Sequence, residues 1–190
     1  MRRFFLTGAA VLCASVLRAH VTPNVQLVRR GDFIQSSLPG AVKFSEKILM
    51  IGGPDMTAIR QATGWTPTEE DAKIYLGRDS AGRIVGSVAF VWMPSEHGPV
   101  GVGVAFDPDG KILRAEVTDV GTEPLAWVRP LLSDGLSNLK GLGPDDKASP
   151  SEIAPSVKGA MSRYYAGVIS DAISRAQALE RVSRATPASK

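Results

Sequence analysis

From residue 161 onward the apolar side chains fall at 161, 165, 168, 169, 172, 173, 176 and 179. Steps of three and four keep them on one face of an α-helix, which predicts an amphipathic helix from residue 161 to about residue 182. Arg175, Arg181 and Arg184 suit the negative pole at its end. Upstream the period changes to two. Residues 84–93 place Val85, Ser87, Ala89 and Val91 on one side and Ile84, Gly86, Val88, Phe90 and Trp92 on the other. Residues 73–78, 100–106 and 112–120 read as further strands. The turns between them are Asp79-Ser80-Ala81-Gly82, Pro94-Ser95-Glu96-His97-Gly98 and Asp107-Pro108-Asp109-Gly110.

Residues 48–51 are a short apolar run ended by Gly52-Gly53-Pro54, which reads as a strand and a turn. Asp55 is placed to cap a helix that buries Met56, Ile59 and Ala62 and stops at Gly64. Residues 133–156, rich in Gly and Pro, read as a long loop of the kind that often carries function. Four antiparallel strands with tight turns need a cover for their apolar face, and the last helix supplies one. The expectation is an α+β fold: an antiparallel β-meander sheet packed against a C-terminal amphipathic helix, in a single domain over residues 38–182. Residues 20–37 read as a leader and residues 183–190 as a frayed tail.

The first 19 residues alter the charge picture. Met1-Arg2-Arg3, a weakly apolar stretch and Arg18-Ala19 have the three-part layout of an export signal. Arg2-Arg3-Phe4-Phe5-Leu6 resembles the twin-arginine motif of proteins exported folded; the plainer reading is an ordinary signal that begins with two arginines. Lipid attachment at Cys13 fits poorly, because Leu12 precedes it. The chain's net charge of +3 equals the three arginines of this segment, which has no acid, so the remainder is balanced. A nucleic-acid partner therefore has no support from charge. The single Cys excludes a disulfide scaffold and a cysteine zinc site. No apolar run reaches the roughly 20 residues of a membrane span.

No acid–base pair, nucleophile elbow or glycine-rich nucleotide loop is present, so no catalytic residue and no metal ligand is assigned. His97 reads as an exposed turn residue, Glu69-Glu70-Asp71 as a solvated charge run, and Asp107-Pro108-Asp109-Gly110 as a hairpin rather than a calcium loop. What remains is Lys158-Gly159-Ala160-Met161-Ser162-Arg163 at the start of the last helix. Free N–H groups, a glycine and two cations there suit a phosphate; a plain helix start with two solvated bases is the alternative.

The run from about Leu38 to Leu179 resembles the FMN-binding domain found in the G subunit of the Rnf electron-transport complex and the C subunit of the sodium-pumping NADH:quinone reductase. The resemblance lies in the order of its motifs: Leu38-Pro39-Gly40-Ala41-Val42-Lys43-Phe44, then Gly98-Pro99-Val100 through Asp107-Pro108-Asp109-Gly110-Lys111-Ile112, then Gly121-Thr122-Glu123-Pro124. Lys158-Gly159-Ala160-Met161 takes the place of the Ser-Gly-Ala-Thr flavinylation motif. The resemblance implies FMN as cofactor, with Glu123, Pro124 and Leu125 near its ring. It implies an extracytoplasmic electron carrier or binding module rather than a stand-alone enzyme, serving a membrane or periplasmic redox partner. Trp127 either packs on the ring or belongs to the core.

The attachment Thr of that family is Met161 here, and the flanking serines are Lys158 and Arg163. Met161 has no hydroxyl to esterify. Ser162 is rotated by about 100° on the helix and does not replace it. Either FMN is held noncovalently by Lys158 and Arg163, or the scaffold has lost flavin and binds another small ligand or a partner protein. The export reading has its own test. The pair Arg2→Lys and Arg3→Lys should block export if the folded-protein route is used, and N-terminal sequencing should place cleavage near Ala19. Unchanged export would show the twin arginine to be incidental.

Overall fold

The computed structural model describes residues 23–50, 52–67, 71–132 and 136–185. The expected export signal, with Arg2, Arg3 and Cys13, lies outside the described residues, as do Glu69 and Glu70 of the acidic run. In chain order the elements are β1 Asn24–Gln26, α1 Arg30–Ser37, β2 Lys43–Met50, α2 Pro54–Thr63, β3 Asp71–Arg78, β4 Ile84–Met93, β5 Val100–Phe106, β6 Ile112–Gly121, α3 Leu125–Val128, α4 Pro150–Ile153 and α5 Ala160–Ala185. The strands form one six-stranded sheet in the order β1-β6-β5-β4-β3-β2, antiparallel at every pairing. The fold is α+β, as the patterning predicts.

Local chemistry accounts for the meander. In the turn after β3, Asp79 Oδ1 accepts from the N–H groups of Ala81 and Arg83, both at 2.9 Å. In the turn after β5, Asp107 Oδ1 accepts from Asp109 at 2.9 Å and Lys111 at 2.8 Å. Each aspartate folds its own turn back into the next strand. The central strand β5 is buried along its whole length. On one face of the sheet lies α5, with Tyr165, Ala166, Ile169, Ala172, Ile173 and Ala176 fully buried in the main core.

The other face carries a second, smaller core, and residues 24–37, within the stretch expected as a leader, form a strand and a helix, the helix helping to build it. Phe33 of α1 and the following Leu38 are buried against Val88 of β4 and Ala105 of β5. Phe33 meets Phe90 edge-on at 5.8 Å. Leu38 sits over Gly77 and Gly86, which face each other across β3 and β4. A Cβ on Gly77 would lie 2.8 Å from Leu38 Cδ1, and one on Gly86 2.7 Å from Leu38 Cδ2 and 2.5 Å from the Phe106 carbonyl oxygen. The glycine pair is the socket for Leu38. Strand β1 adds to the free edge of β6, extended by Leu27 N–H donating to Thr118 O at 2.8 Å.

Other boundaries shift for physical reasons. Strand β2 begins at Lys43, because eight cross-strand pairs with β3 hold its polar residues as well as its apolar ones. Helix α2 is preceded by Gly53, with Pro54 in its first turn and no side-chain cap, so Asp55 does not cap it; Gly64 ends it in the left-handed conformation, as expected. The stretch read as a loop over 133–156 holds a 3₁₀ turn at Ser137–Leu139 and the capping box of α4, where Ser149 and Glu152 exchange hydrogen bonds. The tail expected from residue 183 is helical through Ala185, with Val182 and Ser183 buried. Among the described residues no helix is long and apolar enough to cross a membrane.

One buried charge stands out. Glu180 of α5 is 4% exposed, and its Oε2 has no hydrogen-bond partner. Burial pushes its carboxyl above the ordinary value of 4.5, while the Ser87 hydroxyl, Arg184 and Lys47 pull it partway back. A raised native pKa means that the folded chain holds the proton more tightly than the unfolded one. The stability this gives is complete below the unfolded pKa and is lost as pH rises through the folded one. Glu180→Gln should therefore gain on the wild type across that window, by roughly 1.4 kcal/mol for each pH unit between the two values. Urea midpoints taken from pH 4 upward, with ~ one unit between points, resolve such a slope; a constant difference would remove it. Phe33→Ala should cost about 3–5 kcal/mol. A substitution in a detached leader would leave the urea midpoint where it was.

Candidate functional site

The end of β4, the start of β5 and the end of β6 meet at one end of the sheet, because the three strands alternate in direction. The turn between β4 and β5 carries Ser95 and His97 there, and the chain leaving β6 carries Glu123, Pro124 and α3. The first turns of α5 close over this end through Tyr165. Its ring is fully buried, and its hydroxyl lies 3.0 Å from Ser95 Oγ. Ser95 donates its own proton to the Gly98 carbonyl at 2.5 Å, so Tyr165 is the donor to Ser95. Burial raises the Tyr165 pKa, chiefly by desolvation; the Ser95 contact lowers it and the Tyr164, Glu123 and Glu96 charges raise it.

Trp127 of α3 stacks on Tyr165 at 5.9 Å with an interplanar angle of 14°. His97 meets the Trp127 ring edge-on at 5.0 Å, and His97 Nδ1 lies 2.8 Å from Glu123 Oε1. A continuous line of contacts thus runs from Glu123 through His97 and Trp127 to Tyr165. It brings the loop of Glu123, Pro124 and Leu125 to the first turns of α5. Pro124 is buried, Leu125 is half-buried against the main core, and Glu123 is exposed. Trp127 is half-buried, packed on the main core between His97 and Tyr165.

The start of α5 divides by depth. Lys158, Gly159, Ala160 and Arg163 are exposed; Met161 is half-buried on the main core; Ser162 is buried. Arg163 N–H donates to Gly159 O at 3.2 Å, the opening bond of the helix. Gly159 has φ +127°, a backbone conformation closed to L side chains, and it offers no side chain to cap the helix. The N–H groups of the first turn are left to solvent or a ligand. The side chains of Lys158 and Arg163 form no ion pair or hydrogen bond among the described residues.

The start of α5 carries groups of the kind that the phosphate end of FMN would need. Two unpaired cations and open N–H groups match a phosphate dianion. Met161 offers no ester-forming hydroxyl, and Ser162 is buried. Among the described residues no group of His, Cys, Asp and Glu is arranged to hold a metal ion.

The line from Glu123 to Tyr165 was hidden in the sequence. Glu123 and His97 are 26 positions apart and Ser95 and Tyr165 are 70 apart. Neither spacing is a signal. His97, expected as a free turn residue, is paired and only 32% exposed at its side chain.

No family model matches the chain, and no curated protein matches it. Among solved structures the chain is similar to NqrC of Shewanella oneidensis, with a TM-score of 0.48 and 15% sequence identity, over 84% of this chain and 92% of that one.

Proposed function

We propose that the chain binds FMN noncovalently at the start of α5 and serves as an electron-transfer module outside the cytoplasm. The observation that carries this reading is the pair of exposed, unpaired cations, Lys158 and Arg163, around the open first turn of α5. The order of motifs from Leu38 to Leu179 supports it. When bound, the isoalloxazine ring supplies reversible one- or two-electron chemistry. The chain's part is to neutralise the phosphate with Lys158 and Arg163 and to present the Glu123–His97 pair beside the ring. The part-buried Tyr165–Ser95 contact would form the floor of the site, with a neutral phenol beneath it. A membrane or periplasmic redox partner would exchange electrons with the exposed edge.

Added FMN should bind saturably and turn the protein yellow. After denaturation in acid and filtration, the colour should pass into the filtrate. Lys158→Ala or Arg163→Ala should weaken binding by about ten- to a hundredfold, the loss of one hydrogen bond to a charged group. Raising salt should weaken the wild type more than either variant. Flavin fluorescence retained on a denaturing gel would contradict noncovalent binding. A protein that ignores millimolar FMN would leave the scaffold to another small ligand or a partner protein.

A further inference from the structure

The ladder between β3 and β4 stops early. Its last pair is Ile74 with Ala89, although β3 continues back to Asp71 on β2 and β4 continues to Met93 on β5. A cavity of about 590 Å³ lies where the pairing ends. Ala72, Val91 and Leu179 line it from the main-core side of the sheet, and Tyr75 and Phe90 from the side of the smaller core. The cavity is therefore lined from both faces of the sheet, at the end of β3 and β4 where the two strands are no longer paired. Its size is in the range of small-molecule sites, about 300–1,000 Å³.

Its walls are aromatic and cationic. Trp65, Tyr75, Phe90 and Trp92 contribute rings, and Arg30 and Arg175 contribute guanidinium groups. Arg30 lies 5.1 Å from the centre of the Phe90 ring and 6.0 Å from that of Trp92, and no carboxylate pairs with it among the described residues. Arg175 lies 4.9 Å from the centre of the Trp65 ring. Burial pushes its guanidinium below the ordinary arginine value, against the opposing charge of Asp171 one turn earlier on α5. Lys73 adds a third cation, which Glu46 meets at 3.3 Å on the surface side. No described lining side chain is acidic.

We propose that this cavity is a binding site for a planar aromatic anion. The rings offer faces and edges to a flat π-system. The two guanidiniums offer planar donor forks suited to a carboxylate or a phosphate: Arg175 is half-buried, where water is partly excluded, and Arg30 is exposed at the mouth. A neutral apolar ligand would leave Arg30 without a counter-charge among the described residues. A cation would be repelled, and an aliphatic acid would forgo the stacking. This site is distinct from the start of α5: Arg163 and Arg175 are separated by about 18 Å of helix rise.

The test uses 2-naphthoate, 2-naphthylmethylammonium and cyclohexanecarboxylate as probes of the folded full chain. Calorimetry should show 2-naphthoate binding at least about tenfold tighter than either control. The chain's three tryptophans report the location. In ¹⁵N spectra the indole signals of Trp65 and Trp92 should shift, and that of Trp127 should stay. Arg175→Gln and Arg30→Gln, which approach the cavity from different elements, should each weaken 2-naphthoate about tenfold or more, while Lys158→Ala leaves it unchanged. Equal affinity for the ammonium and the carboxylate, shifts centred on Trp127, or no heat at millimolar probe would each overturn the proposal. FMN is itself a planar aromatic anion. FMN binding that falls with Arg175→Gln but not with Lys158→Ala would seat the flavin in this cavity and overturn the α5 site instead.

Discussion

The close approach of one helix to one sheet is the contact from which the rest follows. On the inner face of α5, Ala166, Ala172 and Ala176 alternate with Tyr165, Ile169 and Ile173, all without exposed surface. Opposite them β4 and β5 offer Ala89, Val91, Val102 and Val104. Small residues let the backbones approach, and the large ones fill the spaces between. Each buried isoleucine contributes about 1.5–3 kcal/mol. That packing sets the course of α5 across the sheet. Its first turns then close the end of the sheet at Ser95 and Trp127, and its later turns bring Arg175 and Leu179 to the break between β3 and β4. Both candidate sites depend on the same seam.

The two ends of α5 differ electrostatically. The first turn carries no acid, and Gly159 cannot cap it, so its positive pole stays open. Near the other pole Glu180 is buried, an unfavourable sign of charge for that position. The surroundings compensate: Lys47 donates to the Ser183 carbonyl, Arg184 lies 3.7 Å from Glu180, and Arg181 donates to the Pro144 carbonyl at 2.5 Å. The positive pole of the helix is left free at the end where no acidic side chain stands in the first turn.

The parts of the fold legible in the sequence are those with local causes. Aspartate-led turns, a period of two and a period of three to four announce the meander and α5. The parts that escaped depend on distant partners. Strand β1 is only three residues, Asn24–Gln26, with Val25 its one apolar side chain, and it is a strand only because β6 has a free edge. Helix α1 has scarcely any amphipathic pattern; Phe33 and Leu38 do most of its anchoring, in a socket made by glycines some forty residues away and more. The capping box at Ser149 and Glu152 has a local signature, Ser-Pro-Ser-Glu, within the stretch expected as a loop. At the candidate site the cations and the glycine could be named from the sequence, whereas the His97–Glu123 pair and the cavity could not. A missing rung in a ladder leaves no mark on the residues beside it.

The seat of β1 has a further consequence, one of time. Asn24 pairs with Gly121, so a contact made by nearly the first described residues closes a loop of about a hundred residues, the kind of closure that slows folding. The hairpins from β2 to β6 can zip in order as the chain lengthens, each on its predecessor. The rim that β1 covers stays open until β6 exists. Until then the edge of the growing sheet is a template for any extended segment that meets it, including the same strand of a neighbouring chain. The last rung to form is written near the start of the chain.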